Sequence, residues 1–196
     1  MTLRQLVRSF FSKQFYPKML LRIKDVNGNI IPDTRIGNTT HIESRENLQL
    51  DSHVFIGHYN FLDASNGLSI GEGCQITNYV SLLTHSSHIS IRLYGREYRR
   101  QKNLKGYIKA PVRIGKYSFI GPHSVIMPGT IIGKGSIVSA FSYVKGEFED
   151  FSIIAGNPAK KVGDTRSMDE PFLQENEELR EFYNAWANAE NDGGDA

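Results

Sequence analysis

A six-residue repeat occupies the middle of the sequence and restricts the folds open to the chain. From Ile114 onward, every sixth residue is aliphatic and the fifth residue of each unit is Ser or Thr. The units over residues 114–143 are Ile-Gly-Lys-Tyr-Ser-Phe, Ile-Gly-Pro-His-Ser-Val, Ile-Met-Pro-Gly-Thr-Ile, Ile-Gly-Lys-Gly-Ser-Ile and Val-Ser-Ala-Phe-Ser-Tyr. This period fits neither the roughly 3.6-residue turn of a helix nor the simple alternation of a strand, so we predict an all-β solenoid in which each unit is one short strand and one turn.

The repeat also runs upstream in the same phase. Its aliphatic positions there are Leu50, Ile56 and Leu62 and, after a two-residue insertion, Ile70, Ile76 and Leu82, with a weaker extension to Ile36 and Ile42. Three units close one triangular coil, so about five coils fit between residues 30 and 155. Stacked coils pair each strand with its equivalents above and below, and the Gly after the aliphatic residue either relieves crowding or adopts a positive φ at the corner.

Cys74 is the only cysteine and falls, like Val80, at a small-residue position of the repeat. One cysteine excludes an internal disulfide and fits a reducing compartment. No apolar run approaches the roughly 18 residues that a membrane span requires. The N-terminus also lacks the pattern of a secretory signal. We therefore expect a cytoplasmic protein whose cysteine is a buried core thiol.

The two ends of the chain differ in charge. Residues 1–30 contain six basic residues against Asp25 alone, whereas residues 167–196 contain nine acidic residues against Arg180 alone. Near the N-terminus, basic residues separate apolar residues at helical spacing, which predicts a helix that caps the core or packs on a partner subunit. The alternative is attraction to an anionic membrane surface, at the inner face of the membrane. The apolar residues are Leu3, Leu6, Val7, Phe10, Phe11 and Phe15.

These patterns divide the chain into a basic amphipathic segment (1–30), a solenoid (31–163) and a C-terminal helix with an acidic tail (164–196). The predicted helix covers residues 169–189, where an apolar stripe runs among glutamates. The tail from 191 to 196 is predicted to be disordered. The stripe consists of Phe172, Leu173, Leu179, Phe182, Tyr183 and Trp186.

The repeat stops between His85 and Pro111, where about 25 residues lack hexapeptide order. A solenoid accommodates such an insertion only as a loop that leaves a corner, and long loops in regular folds are commonly functional. The segment 86–110 is rich in basic residues, while its tyrosines favour a loop that is at least partly packed. We expect its charge to serve a phosphate-bearing ligand, and no nucleic-acid partner. The residues are Arg92, Arg96, Arg99, Arg100, Lys102, Lys105 and Lys109, with Tyr94, Tyr98 and Tyr107.

The sequence on either side of this loop resembles the sugar and xenobiotic branch of the hexapeptide-repeat acetyltransferases, which includes maltose, galactoside and nodulation-factor O-acetyltransferases. Ser-Leu-Leu-Thr-His-Ser-Ser-His (81–88) precedes the loop, and Ala-Pro-Val-Arg-Ile-Gly (110–115) follows it. Ile-Ala-Gly-Asn-Pro-Ala-Lys-Lys-Val (154–162) is similar to the signature that ends the solenoid in that family. The resemblance spans roughly residues 36–163. It implies a left-handed parallel β-helix and a homotrimer with active sites between subunits; the handedness comes from the resemblance alone.

The resemblance also implies an enzyme that moves an acetyl group from acetyl-CoA to a hydroxyl of a sugar, or of a polysaccharide, lipopolysaccharide or capsule precursor, without a metal. His85 matches the family's general base. A histidine suits this role because its ordinary pKa near 6.5 leaves it largely neutral at pH 7. His88 also lies at the loop entrance, and the Thr84-His85 order favours His85 over it.

Two groups of residues are candidates for substrate binding on the same resemblance. Asn60 and Asp63 are similar to the element that binds the acceptor sugar, with His88 as a further candidate; the alternative is that Asn60 and Asp63 are turn residues of a solenoid corner. For CoA, which lies between adjacent solenoids in the family, the matching wall positions are Phe119, Gly121, Ala140 and Ser142. Lys160 and Lys161 are candidates to meet its phosphates as point charges.

The sequence leaves other functions open. One alternative is transfer to the amine of a nucleotide-linked sugar, or to an antibiotic or other xenobiotic. A carbonic anhydrase on the same fold requires three histidines that converge between subunits, for which His85, His88 and His123 are available. A non-catalytic β-helix that docks partners through its flat faces is the remaining alternative.

Overall fold

The computed structural model describes residues 2–7 and 16–188 and is a left-handed parallel β-helix. Its strands are β1 (Met19–Leu20), β2 (Arg35–Gly37), β3 (His41–Glu43), β4 (Leu48–Leu50), β5 (Phe55–Ile56), β6 (Phe61–Asp63), β7 (Leu68–Ile70), β8 (Gln75–Ile76), β9 (Ser81–Leu82), β10 (His85–Ser86), β11 (Ile108–Lys109), β12 (Val112–Ile114), β13 (Phe119–Ile120), β14 (Val125–Ile126), β15 (Ile131–Ile132), β16 (Ile137–Val138), β17 (Tyr143–Val144), β18 (Glu147–Phe148), β19 (Ser152–Gly156) and β20 (Ala159–Asp164). The α-helices are α1 (Ser90–Tyr94), α2 (Thr165–Glu175) and α3 (Leu179–Ala187), with 3-10 helices at Arg45–Asn47 and Gly95–Arg100. Residues 3–7 are also helical.

Three parallel sheets form the faces of a triangular prism, and each coil contributes one strand to each face. Face 1 contains β2, β5, β8, β13, β16 and β19; face 2 contains β3, β6, β9, β14 and β17; face 3 contains β4, β7, β12, β15 and β18. Among the described residues, faces 2 and 3 have five strands each, which confirms the expected five coils. Strand β19 begins a sixth coil. The insertion enters the third coil between β9 and β12.

The aliphatic residues of the repeat form the core, as predicted. Ile76 lies between Ile56 and Ile120 in register, and all three are fully buried. The Ser and Thr positions face the corners, where their hydroxyl groups bind backbone carbonyls; Ser118 Oγ donates to the oxygen of Gly133 at 3.0 Å and Ser124 Oγ to that of Ser139 at 3.0 Å. These bonds satisfy backbone groups that the turns leave unpaired inside the wall.

The glycines that follow the aliphatic residues relieve crowding between coils. A Cβ on Gly115 would lie 2.4 Å from the nitrogen of Lys134, and one on Gly121 would lie 2.6 Å from the oxygen of Val138. The positive φ at the same corners belongs instead to residues further along the turn, such as Tyr117 (56°) and His123 (60°). Of the two roles expected for this glycine, the structure therefore supports close packing.

Aromatic residues at positive φ stack along the corner between faces 1 and 2, and we call them the aromatic ladder. Tyr59 and Tyr79 have ring centroids 5.1 Å apart, Tyr79 and His123 4.8 Å, and His123 and Phe141 4.8 Å. The corner between faces 3 and 1 is covered by Trp186 of α3, which lies on Tyr117 and Phe151.

Both ends of face 1 are closed by antiparallel strands, β1 against β2 and β20 against β19. These two strands extend face 1 by one strand at each end, so its edges are β1 and β20 rather than β2 and β19. The helix expected over residues 169–189 is two helices, since the chain leaves the helical conformation at Asn176 (φ −136°), whose side chain donates to the oxygen of Phe172 at 2.9 Å.

Parts of the terminal predictions fall outside the described residues: the central part of the N-terminal amphipathic pattern, residues 8–15, and the tail from 189 onward. Within the described part of the chain, no helix is both long and apolar enough to cross a membrane.

Candidate active site

The insertion leaves and rejoins the β-helix at one corner, between faces 2 and 3. β10 pairs antiparallel with β11, which places His85 opposite Lys109 and Ser86 opposite Ile108. The nitrogen of Ala110 also donates to the oxygen of Thr84 at 3.0 Å. His85 therefore sits on a paired, two-stranded base from which the loop projects.

A buried carboxylate contacts His85 from the coil below. The Oδ2 atom of Asp63, at the end of β6, lies 2.7 Å from Nδ1 of His85, and the Asp63 side chain has no exposed surface. Oδ2 also accepts hydrogen bonds from the backbone nitrogen and the hydroxyl of Thr84, both at 2.9 Å. Oδ1 accepts from the backbone nitrogen of Ser65 at 2.9 Å and from its hydroxyl at 2.6 Å.

This environment keeps the carboxylate ionised. Burial acts to raise the pKa of Asp63, but the hydrogen bonds from Ser65 and Thr84 outweigh burial and lower the pKa to about 2. An ionised carboxylate is an acceptor only, so Nδ1 of His85 carries a hydrogen and Nε2 is left with its lone pair in the neutral ring. The His85 side chain is 36% exposed, which leaves part of the ring accessible to a substrate.

The end of the loop covers one face of the imidazole. The Tyr107 ring stacks on His85 with centroids 5.8 Å apart and planes 4° apart. Lys109 Nζ lies 5.3 Å from the centroid of the Tyr107 ring. Together with the bond to Asp63, the stacking restricts the orientation of the imidazole.

Two of the acceptor candidates, Asn60 and Asp63, are buried. Asn60 is 3% exposed; its Nδ2 donates to the oxygen of Thr77 at 2.8 Å, and its Oδ1 accepts from the nitrogen of Val80 at 2.7 Å. Asp63 is fully engaged beneath His85. The polar atoms of both side chains are hydrogen-bonded within the wall of the β-helix, which favours the alternative interpretation that the two residues belong to a solenoid corner. His88 is exposed at the loop entrance, where Nδ1 lies 2.8 Å from Ser86 Oγ.

The CoA candidates lie at or beside the corner between faces 1 and 2. Phe119 and Ala140 are exposed there, whereas Gly121 and Ser142 are buried in the wall. Ser142 Oγ donates to the oxygen of Ser139 at 2.7 Å and accepts from the nitrogen of Gly156 at 3.3 Å. This corner and the corner of His85 are at opposite ends of the strands of face 2.

Lys160 and Lys161 are exposed on β20. Lys161 Nζ lies 3.3 Å from Glu149 Oε2. An exposed ion pair of this kind contributes little to the stability of the protein. Both lysines are thus accessible to a phosphate from solvent.

The histidines that a carbonic anhydrase would need do not converge within one chain. His123 is stacked in the aromatic ladder, on a different corner from His85 and His88. Across residues 2–7 and 16–188, no group of three or more His, Cys, Asp or Glu side chains is arranged to hold a metal ion.

Sequence reasoning missed the contact between Asp63 and His85, together with the roles of Ser65, Thr84 and Tyr107. The signal for Asp63 was present in the coil length, because Phe61 and Leu62 are in register with Ser81 and Leu82. If this register is continued by one residue, Asp63 lies beneath the residues that immediately precede His85. No comparable signal locates Tyr107, because the loop has no repeat.

Comparison with known proteins agrees with the fold. Residues 111–146 match the family model described as bacterial transferase hexapeptide (six repeats). AntD, an N-acyltransferase from Bacillus cereus solved with dTDP and 3-hydroxybutyryl-CoA, is 20% identical with a TM-score of 0.60, over 78% of this chain and 90% of that chain. A hexapeptide-repeat acetyltransferase from Vibrio cholerae solved with acetyl coenzyme A is 20% identical with a TM-score of 0.54, over 84% and 79%. The sequence has no significant match among curated proteins. The chain thus carries the bacterial transferase hexapeptide repeat over residues 111–146 and has the left-handed β-helix fold of these solved transferases.

Proposed function

We propose that the protein transfers an acetyl group from acetyl-CoA to a hydroxyl of a sugar or of a polysaccharide, lipopolysaccharide or capsule precursor, with His85 as the general base. The observation that carries this proposal is the bond between His85 Nδ1 and the buried Asp63 carboxylate, which leaves Nε2 available to take a proton. A base held in one tautomer at the mouth of a projecting loop is suited to proton transfer.

In the proposed reaction, Nε2 removes the hydroxyl proton as the acceptor oxygen attacks the thioester carbonyl. The tetrahedral intermediate then collapses, the carbon–sulfur bond breaks, and the departing CoA sulfur takes the proton from the imidazolium. Asp63 stabilises the imidazolium while it carries the extra proton, because their charges are opposite and close.

For the donor, we propose that acetyl-CoA lies along the corner that contains Phe119, Gly121, Ala140 and Ser142, with its phosphates near Lys160 and Lys161. Two proteins of this fold were solved with acyl-CoA molecules, 3-hydroxybutyryl-CoA in one and acetyl coenzyme A in the other. The exposed position of Phe119 and Ala140 is compatible with this placement. Use of acetyl-CoA also favours a cytoplasmic location.

We further propose a homotrimer. The base and the donor residues lie at opposite ends of face 2, so a neighbouring copy that presents its donor corner to His85 would complete the site. Light scattering should give three times the chain mass of 22.1 kDa for the active protein. An active protein with the mass of one chain contradicts the trimer.

A second candidate function is N-acyl transfer to a nucleotide-linked amino sugar. It is favoured by the cluster of Lys102, Lys105 and Lys109 in the loop, and AntD is an N-acyltransferase solved with dTDP. His85 suits either reaction, because the attacking oxygen or nitrogen must lose a proton in both.

The test of the proposal is acetyl-CoA turnover, followed by thiol release, over sugars, nucleotide-sugars, amino sugars and antibiotics. Turnover with a sugar hydroxyl supports the first function, and turnover only with an amino sugar supports the second. The absence of turnover with every acceptor, together with the absence of acetyl-CoA binding by calorimetry, contradicts both.

A further inference from the structure

A pocket in the second half of the loop shares Tyr107 with the candidate active site, and we call it the basic pocket. Its walls include Tyr98, Lys102, Lys105, Tyr107 and Lys109, and its volume is about 560 Å³. Sites for small ligands commonly measure about 300–1,000 Å³. Tyr107 joins the pocket to the candidate active site, because the same ring lines the pocket and stacks on His85.

The pocket is held together by contacts within the loop. The hydroxyl of Tyr94 accepts a hydrogen bond from the nitrogen of Lys105 at 2.9 Å. The hydroxyl of Ser90, which is fully buried, donates to the oxygen of Lys105 at 2.9 Å. These bonds hold the chain at Lys105, so its backbone position does not depend on a ligand.

The charge of the pocket is positive. Three of the residues that line it are lysines, and among the described residues no acidic side chain lines it. The single acid of the loop, Glu97, lies 3.2 Å from Arg100 and is therefore already paired with a cation. Clustered lysines attract anions and hold phosphates as point charges, and aromatic walls pack against the uncharged parts of a ligand.

We propose that the basic pocket binds a diphosphate group of the acceptor, so that the acceptor is a sugar linked to a diphosphate. This inference rests on the proposed acetyl transfer. The diphosphate lies against Lys102, Lys105 and Lys109, and the sugar extends past Tyr107 to His85. A nucleoside or a polyprenyl lipid can carry such a diphosphate, and both offer the same group to the lysines.

Kinetics of the double variant Lys102→Gln/Lys105→Gln test the inference. The matched control is Arg96→Gln/Arg99→Gln, which removes the same charge from exposed residues of the same loop outside the pocket lining. The loss of two charged contacts should raise the KM for a diphosphate-linked sugar by about tenfold or more. The KM for acetyl-CoA should stay within about twofold of wild type, and the control should behave as wild type. An unchanged acceptor KM overturns the inference, and so does a rise in the acetyl-CoA KM alone, which would assign the lysines to CoA.

Calorimetry with pyrophosphate, a nucleoside diphosphate and a short polyprenyl diphosphate separates this inference from the proposed function. Wild type and control should bind pyrophosphate, and the lysine double variant should lose that binding. Tighter binding of the nucleoside or of the polyprenyl compound identifies the carrier. If pyrophosphate binds all three proteins equally or none of them, the inference fails even when acetyl transfer occurs. If it binds as expected but no acceptor is acetylated, the proposed function fails.

Discussion

Nδ1 of His85 lies 2.7 Å from Oδ2 of Asp63, whose side chain has no exposed surface. The two residues belong to successive coils, so the stacking of the β-helix itself brings the carboxylate under the imidazole. Thr84 and Ser65 complete the hydrogen bonds of the carboxylate, which leaves it no free acceptor position to offer a substrate. The contact therefore restricts the orientation of the His85 imidazole.

Replacing Asp63→Asn should lower kcat by about 100-fold, because an amide no longer selects the tautomer that leaves Nε2 unprotonated. The KM for acetyl-CoA should change little. Nitrogen NMR of the His85 ring checks the cause, since wild type should show a single tautomer and the variant a mixture.

Asn60→Ala is the matched control for this substitution. Asn60 is also buried in a corner of the same coil, but it contacts Thr77 and Val80 rather than His85. Its loss should reduce the free energy of unfolding by about 1–3 kcal/mol and leave kcat near that of wild type. If both variants lost kcat equally, the effect of Asp63→Asn would be structural.

Acid should destabilise the protein in part through Asp63. Its pKa is about 2 in the folded protein, below the ordinary value of 3.8, so the unfolded chain binds the proton more readily. The stabilisation is thus complete above about pH 4 and is lost as the pH falls toward 2, with a size of about 2 kcal/mol.

Urea unfolding of wild type and Asp63→Asn at pH 5 and pH 2.5 measures this contribution. The variant should lose less free energy of unfolding than wild type over that interval. Asp164, whose pKa is also lowered to about 2 by its bond to Arg166, is present in both proteins and cancels in the comparison. Equal losses in the two proteins would show that Asp63 is not responsible.

Cys74 should be unreactive in the folded protein. Burial raises the pKa of its thiol to about 12, and Sγ lies 3.0 Å from the oxygen of Gly115. A disulfide reagent at pH 8 should therefore modify no thiol in the native protein and one thiol per chain after unfolding. Fast modification of the native protein would mean that the wall opens at Cys74.

The solenoid was predictable because each coil is stabilised mainly by contacts within itself and with the next coil on either side. Each aliphatic position, such as Ile120, is in register with its equivalents in the coils above and below, so a local period is enough to assign the core. The location of His85 at the start of the loop was also predictable, because the repeat ends there.

The contacts of the site were harder to predict because they join segments with no common period. Tyr107 reaches His85 only after the loop has folded on itself, and the loop sequence does not specify that path. The family resemblance predicts that Asp63 binds the acceptor, but the sequence does not show that its oxygens accept hydrogen bonds from Ser65 and Thr84.

The most direct test of the central claim is kcat/KM for acetyl transfer by His85→Ala and His88→Ala with the best acceptor. If His85 is the general base, its loss should lower kcat/KM by about 10²–10⁴-fold. His88→Ala should retain activity near that of wild type, because His88 contacts Ser86 and not the Asp63 carboxylate. A His85→Ala protein with wild-type kcat/KM would contradict the account.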